Sequence, residues 1–139
     1  MTSSRFATAI HILALLAHEA ENALTSDYIA SSVNTNPVVI RRLLRSLAEA
    51  GLVTSVRGTA GGSRLARTPK SITLLDVYSA VEEQKLFEGH AQQPNPKCPV
   101  GSRIVDVLTP RFDDATAALM KSLRRTTIAD VLTDVNSRK

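Results

Sequence analysis

The chain has 139 residues, enough for one domain, and with 4% aromatic residues and no Trp its core must be aliphatic. A single cysteine excludes an intrachain disulfide framework and suits a reducing compartment, and no stretch approaches the ~20 apolar residues of a membrane span. The formal charge of +4 is local: seven of the 17 basic residues and one acid, Glu49, lie between Asn36 and Lys70, so that segment is +6 while the rest, with ten basic and twelve acidic residues, is −2. A solvated face would intersperse its acids, whereas an unopposed patch is the electrostatic footprint of a phosphate-binding surface.

Phe6, Ile10, Leu13 and Ala17 recur at helical spacing and predict a first helix from a Ser3 or Ser4 cap to about Ala20. With His11 in its middle and only Arg5 before it, this run does not read as a secretory leader, and a cytoplasmic protein is expected. Ser26 and Asp27 open a second short helix whose Ile29, Ala30 and Val33 face inward. After the turn Asn34–Asn36, Asn36 is an N-cap and Pro37 suits the first position of a third helix, where a missing N–H costs nothing.

In that helix Ile40, Leu43, Leu44 and Leu47 make one apolar stripe, Val38, Arg42, Arg45 and Glu49 project roughly opposite, and Arg41 lies between. Gly51 closes it in the position that favours left-handed backbone. Leu52–Arg57 and Ser63–Arg67 flank a glycine-bearing turn and read as a β-hairpin. Helix, turn, helix and basic hairpin is the order of a winged helix-turn-helix, which makes double-stranded DNA the first expected partner.

Thr73-x-x-Asp76 is a capping box opening a helix with Leu74, Val77, Tyr78 and Val81 on one face, ended by Glu82 and Glu83. Phe87–Val100, with three prolines and no periodicity, reads as a long loop of the kind that carries function. Ile104, Leu108, Phe112, Ala115, Leu119 and Leu123 then form a stripe longer than a small core needs, so part of it is expected to pack on a second copy. Pro110 falls inside the stripe and should kink the helix or split it. Thr127-x-x-Asp130 is a second capping box, opening a last helix with Ile128, Val131, Leu132 and Val135 inward; residues 136–139 should fray.

The expected fold is mainly α with a small β-hairpin. Residues 1–82 make a winged helix-turn-helix domain, 83–100 a loop and possible sensing region, 101–125 a dimerisation helix, and 126–139 a helix packing back on the core.

Enzymatic chemistry has little footing, because no Ser/His/Asp or Cys/His grouping stands close in sequence. His11 and His18 are two helical turns apart, ~10 Å of rise, too far to share a metal. Gly58-x-x-Gly61-Gly62-Ser63 lacks the Lys and the strand–loop–helix setting of a nucleotide cradle. Cys98 has two readings: a redox sensor, its thiolate favoured by Lys97 and the following helix start, or a small apolar filler beside two prolines.

Gly61-Gly62, Leu65, Arg67, Pro69, Ile72-Thr73-Leu74, Asp76-Val77 and Ala80-Val81-Glu82 together resemble the wing and following helix of the Rrf2 family of bacterial transcription regulators. The resemblance implies a homodimer that binds a palindromic operator and usually represses, with the helix after the turn in the major groove. By position it assigns base reading to Asn36, Val38, Arg41 and Arg42, with Arg45 alongside, and wing contacts to Arg57, Thr59, Ser63 and Arg64. Two departures stand out: Ser63 occupies a position where the family often has an aromatic, and Cys98 stands alone where cluster-binding members place three cysteines. No iron–sulfur cluster or other cofactor is therefore expected. The competing expectation is a winged helix used as a protein-binding scaffold, which has no need of unopposed charge on both helix and hairpin.

Overall fold

Ile12, Leu13, Leu16, Ile29, Ile40, Leu47, Leu52, Ile72, Val77 and Ile128 are the largest fully buried side chains, and the elements are arranged to bring them together. The computed structural model describes residues 4–82 and 85–138. Helices α1 (Arg5–His18), α2 (Ser26–Val33) and α3 (Pro37–Glu49) are followed by strands β1 (Val53–Val56) and β2 (Gly62–Leu65) and a 3-10 turn at Pro69–Ser71. Then come α4 (Leu74–Val81), α5 (Ile104–Arg124) and α6 (Ile128–Ser137).

Local chemistry sets the boundaries. The Asn36 side chain accepts the Val38 N–H at 2.8 Å and Pro37 follows as the first helical residue, so α3 starts where its cap stands. The predicted stripe Ile40, Leu43, Leu44, Leu47 is its buried face. Gly51 has φ 77° and turns the chain into the hairpin, a conformation that favours glycine. Helix α2 is capped by Thr25, whose Oγ1 accepts the Tyr28 N–H, and Ser26 is its first residue. Helix α1 stops at His18, short of Ala20, and Ser4 precedes it without a side-chain cap.

The hairpin is antiparallel with Val53 opposite Leu65 and Ser55 opposite Ser63, and both strands are shorter than the sequence runs suggest. Leu24 adds a third rung: its N–H donates to the Ser63 carbonyl at 3.0 Å and its carbonyl accepts the Ser63 N–H at 2.8 Å. Gly62 makes this possible, since a Cβ there would lie 2.4 Å from the Leu24 carbonyl oxygen.

Both capping boxes form, at Thr73–Asp76 and at Thr127–Asp130. They sit back to back: the Leu74 N–H donates to the Thr126 carbonyl and the Ile128 N–H to the Ile72 carbonyl, each at 2.9 Å. This strap returns α6 to α1 and places Ile128 in the core. Of the residues expected to end α4, Glu82 is its C-cap and Glu83 lies outside the described residues. At the C-terminus α6 runs on through Asn136 and Ser137, where fraying was expected, and Lys139 is not described.

Pro110 does not split the helix: α5 runs on through it for 21 residues. Pro110 is exposed, so the Asp106 carbonyl it leaves unpaired in the helix can turn to water, and flanking carbonyls gain side-chain donors. The Thr109 hydroxyl donates to the Val105 carbonyl at 2.8 Å and the Arg111 guanidinium to that of Val107 at 3.0 Å.

Candidate nucleic-acid interface

Burying Ile40, Leu43, Leu44 and Leu47 leaves the rest of α3 outside, and Val38, Arg41, Arg42 and Arg45 are all exposed. Arg42 and Arg45 have no side-chain partner among the described residues, so their guanidinium groups are available to an anion. Arg41 lies 4.0 Å from Asp27 of α2, an exposed pair worth little energetically but able to bias the arginine's direction. Asn36 is exposed at the helix start, yet its Oδ1 already serves as the cap, which leaves chiefly its amide donors for a ligand.

The hairpin brings Arg57 and Thr59 to the surface at its exposed tip. Its second strand alternates, and the consequence is a correction: Ser63 is 8% exposed, turned inward against Leu24, and offers its side chain to no outside partner. Arg64, the next residue, points out, but its guanidinium donates to the Glu21 carbonyl at 2.5 Å and so ties the wing to the α1–α2 connection. Arg67 is likewise engaged, donating to the Ser71 carbonyl and lying 3.7 Å from Asp76. The patch thus divides into exposed arginines on α3 and at the tip, and arginines that brace the wing. Sequence spacing does not reveal the bracing, because the partners are main-chain carbonyls.

Cys98 lies in the tight turn that leads into α5 and is half-buried. Its thiol is pulled below its usual value, first by the Gly101 backbone N–H and then by that of Val100. Of the stripe residues on α5, Ile104, Leu108, Phe112, Ala115, Leu119 and Leu123 are all half-buried, and none is buried outright. His11 hydrogen-bonds with Ser32 at 2.9 Å. Among the described residues no three of His, Cys, Asp and Glu gather as a metal site, and no helix is long and apolar enough to cross a membrane.

An exposed arginine-bearing helix, set by a tight turn and followed by a basic hairpin, defines a winged helix-turn-helix protein of the DNA-binding kind. The family model described as Rrf2, an iron-dependent transcriptional regulator, matches residues 2–134. The chain belongs to the Rrf2 family of transcription regulators, and its relatives are regulators rather than enzymes. It is 44% identical over 133 residues to YwnA of Bacillus subtilis, named as an HTH-type transcriptional regulator, covering 95% of this chain and 97% of that one. It is 30% identical over 136 residues to protein rrf2 of Nitratidesulfovibrio vulgaris, covering 97% and 87%. A crystal structure of a protein described as DNA-binding superposes with a TM-score of 0.76 at 40% identity, over 93% of this chain and 99% of the other. The family's description names iron, and the sequence offers one thiol, Cys98, with no group of three His, Cys, Asp or Glu gathered among the described residues.

Proposed function

We propose that the protein is a cytoplasmic homodimer that binds an inverted-repeat operator and represses transcription from it without an iron–sulfur cluster. The supporting observation is the outward face of α3, where Arg41, Arg42 and Arg45 stand exposed, together with Arg57 exposed at the tip of the hairpin. Helix α3 enters the major groove. Arg41, Arg42 and Val38 meet base edges, Asn36 donates from the helix start, and Arg45 meets the backbone. Arg57 and Thr59 follow the adjacent phosphates, while Arg64 reaches them only by releasing the Glu21 carbonyl.

Dimerisation uses α5, whose 21 residues extend roughly 31 Å and include no buried side chain within one chain. A two-fold axis along this helix presents two α3 helices to half-sites one helical turn apart, about 34 Å. Cys98 is read as the residue that holds the turn into α5, where its N–H donates to the Asn95 carbonyl at 3.1 Å and its carbonyl accepts the Ser102 N–H at 2.9 Å.

Genomic fragments captured by the purified protein test this reading, with Arg42→Ala compared on the enriched sequence. Enrichment of a short inverted repeat is expected, and the variant should lose ~1–3 kcal/mol of operator affinity and relax preference at one base pair. No enrichment, or a variant that binds like the parent, would move the weight to a scaffold or to a different docking face.

A further inference from the structure

We propose that the groove between α4, residues 85–90 and α5 binds a small, uncharged aromatic molecule, and that this molecule is the regulator's effector. The groove encloses about 550 Å³, within the range of ~300–1,000 Å³ typical of small-molecule sites. One wall is the ring pair Phe87 and Phe112, with centroids 5.3 Å apart and planes 18° from parallel. Leu86, Leu108, Leu119 and Met120 continue the apolar lining. Leu86, Phe87 and Met120 are 49%, 39% and 40% exposed, so large apolar surface is left open around one spot. A third flat ring extends a near-parallel aromatic pair in the offset arrangement such rings prefer.

Charge argues for a ligand without net charge. Glu82 is held by Arg5 at 3.8 Å, which leaves Lys85 and Asp113 as opposite and cancelling charges on the rim, beside the His90 imidazole. The Ser79 and Thr116 hydroxyls have no partner among the described residues and can orient a hydroxyl or carbonyl on the ring. Phe87 stacks on Phe112 from the same chain, so at that ring the α5 stripe is covered by its own loop, and the proposed dimer seam falls on the rest of the helix.

The groove also has a route to the DNA-facing surface. Tyr78, Ser79 and Glu82 at the far end of α4 line it, and Asp76 in the first turn of the same helix lies beside Arg67 at the base of the wing. Occupancy that tilts α4 therefore moves the wing's brace. This part alone rests on the proposed DNA-binding function.

The full-length protein is titrated with 2-naphthol, followed by its fluorescence, and with 2-naphthoate and decahydro-2-naphthol by calorimetry. Saturable binding of one 2-naphthol per chain is expected, roughly tenfold tighter than the anion or the saturated alcohol, a gap of about 1.4 kcal/mol. Thr116→Trp should fill the groove and abolish that binding while leaving the circular dichroism spectrum unchanged. In the parent, 2-naphthol should change operator affinity about fivefold or more. The absence of saturation, equal binding of the saturated alcohol, tighter binding of the anion, or a Thr116→Trp variant that binds like the parent would each overturn the site. Saturable binding with unaltered operator affinity would overturn the effector role. A protein that bound no operator would sink the proposed function, while the 2-naphthol titration would still decide the groove.

Discussion

The body formed by α1–α4 and the hairpin and the long helix α5 have comparable shares of apolar residues but opposite fates. Of the 17 buried hydrophobic residues among those described, all but Ile128 lie in residues 9–81, and none is on α5. The stripe on α5 is nonetheless regular over its whole length. Periodicity thus states that a helix has an apolar side, and only the rest of the chain states whether that side is used for folding or kept for a partner or a ligand.

The largest expected effect breaks the body. Leu47 is fully buried on the inward face of α3, so Leu47→Ala leaves a cavity among Ile40, Leu43 and their neighbours and should cost ~2–5 kcal/mol in urea unfolding. Operator binding would fall with it, because the exposed arginines ride on the same helix. A loss below 1 kcal/mol would mean that the body is not the seat of stability.

The complementary change is on α5. Leu119 is half-buried, and Leu119→Arg should turn the proposed dimer into monomers in sedimentation equilibrium while the α1–α4 body keeps its helical spectrum. Apparent stability should fall as well, to the extent that association contributes to it by mass action. A dimer unaltered by this change would assign the stripe wholly to covering α4 and the groove.

The starts of α3, α4 and α6 were legible because each has a period and a chemical cap: Asn36 before Pro37, Thr73 with Asp76, Thr127 with Asp130. The outward arginines followed from the same period, once the inward leucines were fixed. What stayed hidden depends on contacts between distant, unpatterned stretches. Leu24 pairs with Ser63 as a one-residue rung, too short to show alternation, and it turns a presumed wing contact into a buried residue. Arg64 and Arg67 look like the other basic residues until their carbonyl partners, Glu21 and Ser71, are placed beside them. The groove was equally silent, because Phe87 stands in a run with no period and meets Phe112 only when the chain folds back.

The smallest effect concerns the seam between the two regions. At the end of α5 the chain reaches Thr126–Ile128, which pairs with Ile72–Leu74 through main-chain bonds at 2.9 Å and starts α6 with a capping box. The Thr127 Oγ1 accepts the Asp130 N–H at 3.1 Å, and the Asp130 carboxylate accepts the Thr127 N–H at 2.9 Å. Thr127→Ala removes the first of these bonds and leaves the main-chain strap in place, so the cost should be about 1 kcal/mol, within the range of ~0.5–2 kcal/mol for a lost cap. The loss should appear as faster amide exchange in α6 and around Ile128, with exchange in α3 and operator affinity unchanged. If α3 were affected as strongly, the strap would be part of the body's cooperative unit, and α6 would belong with α1–α4 in energy as well as in position.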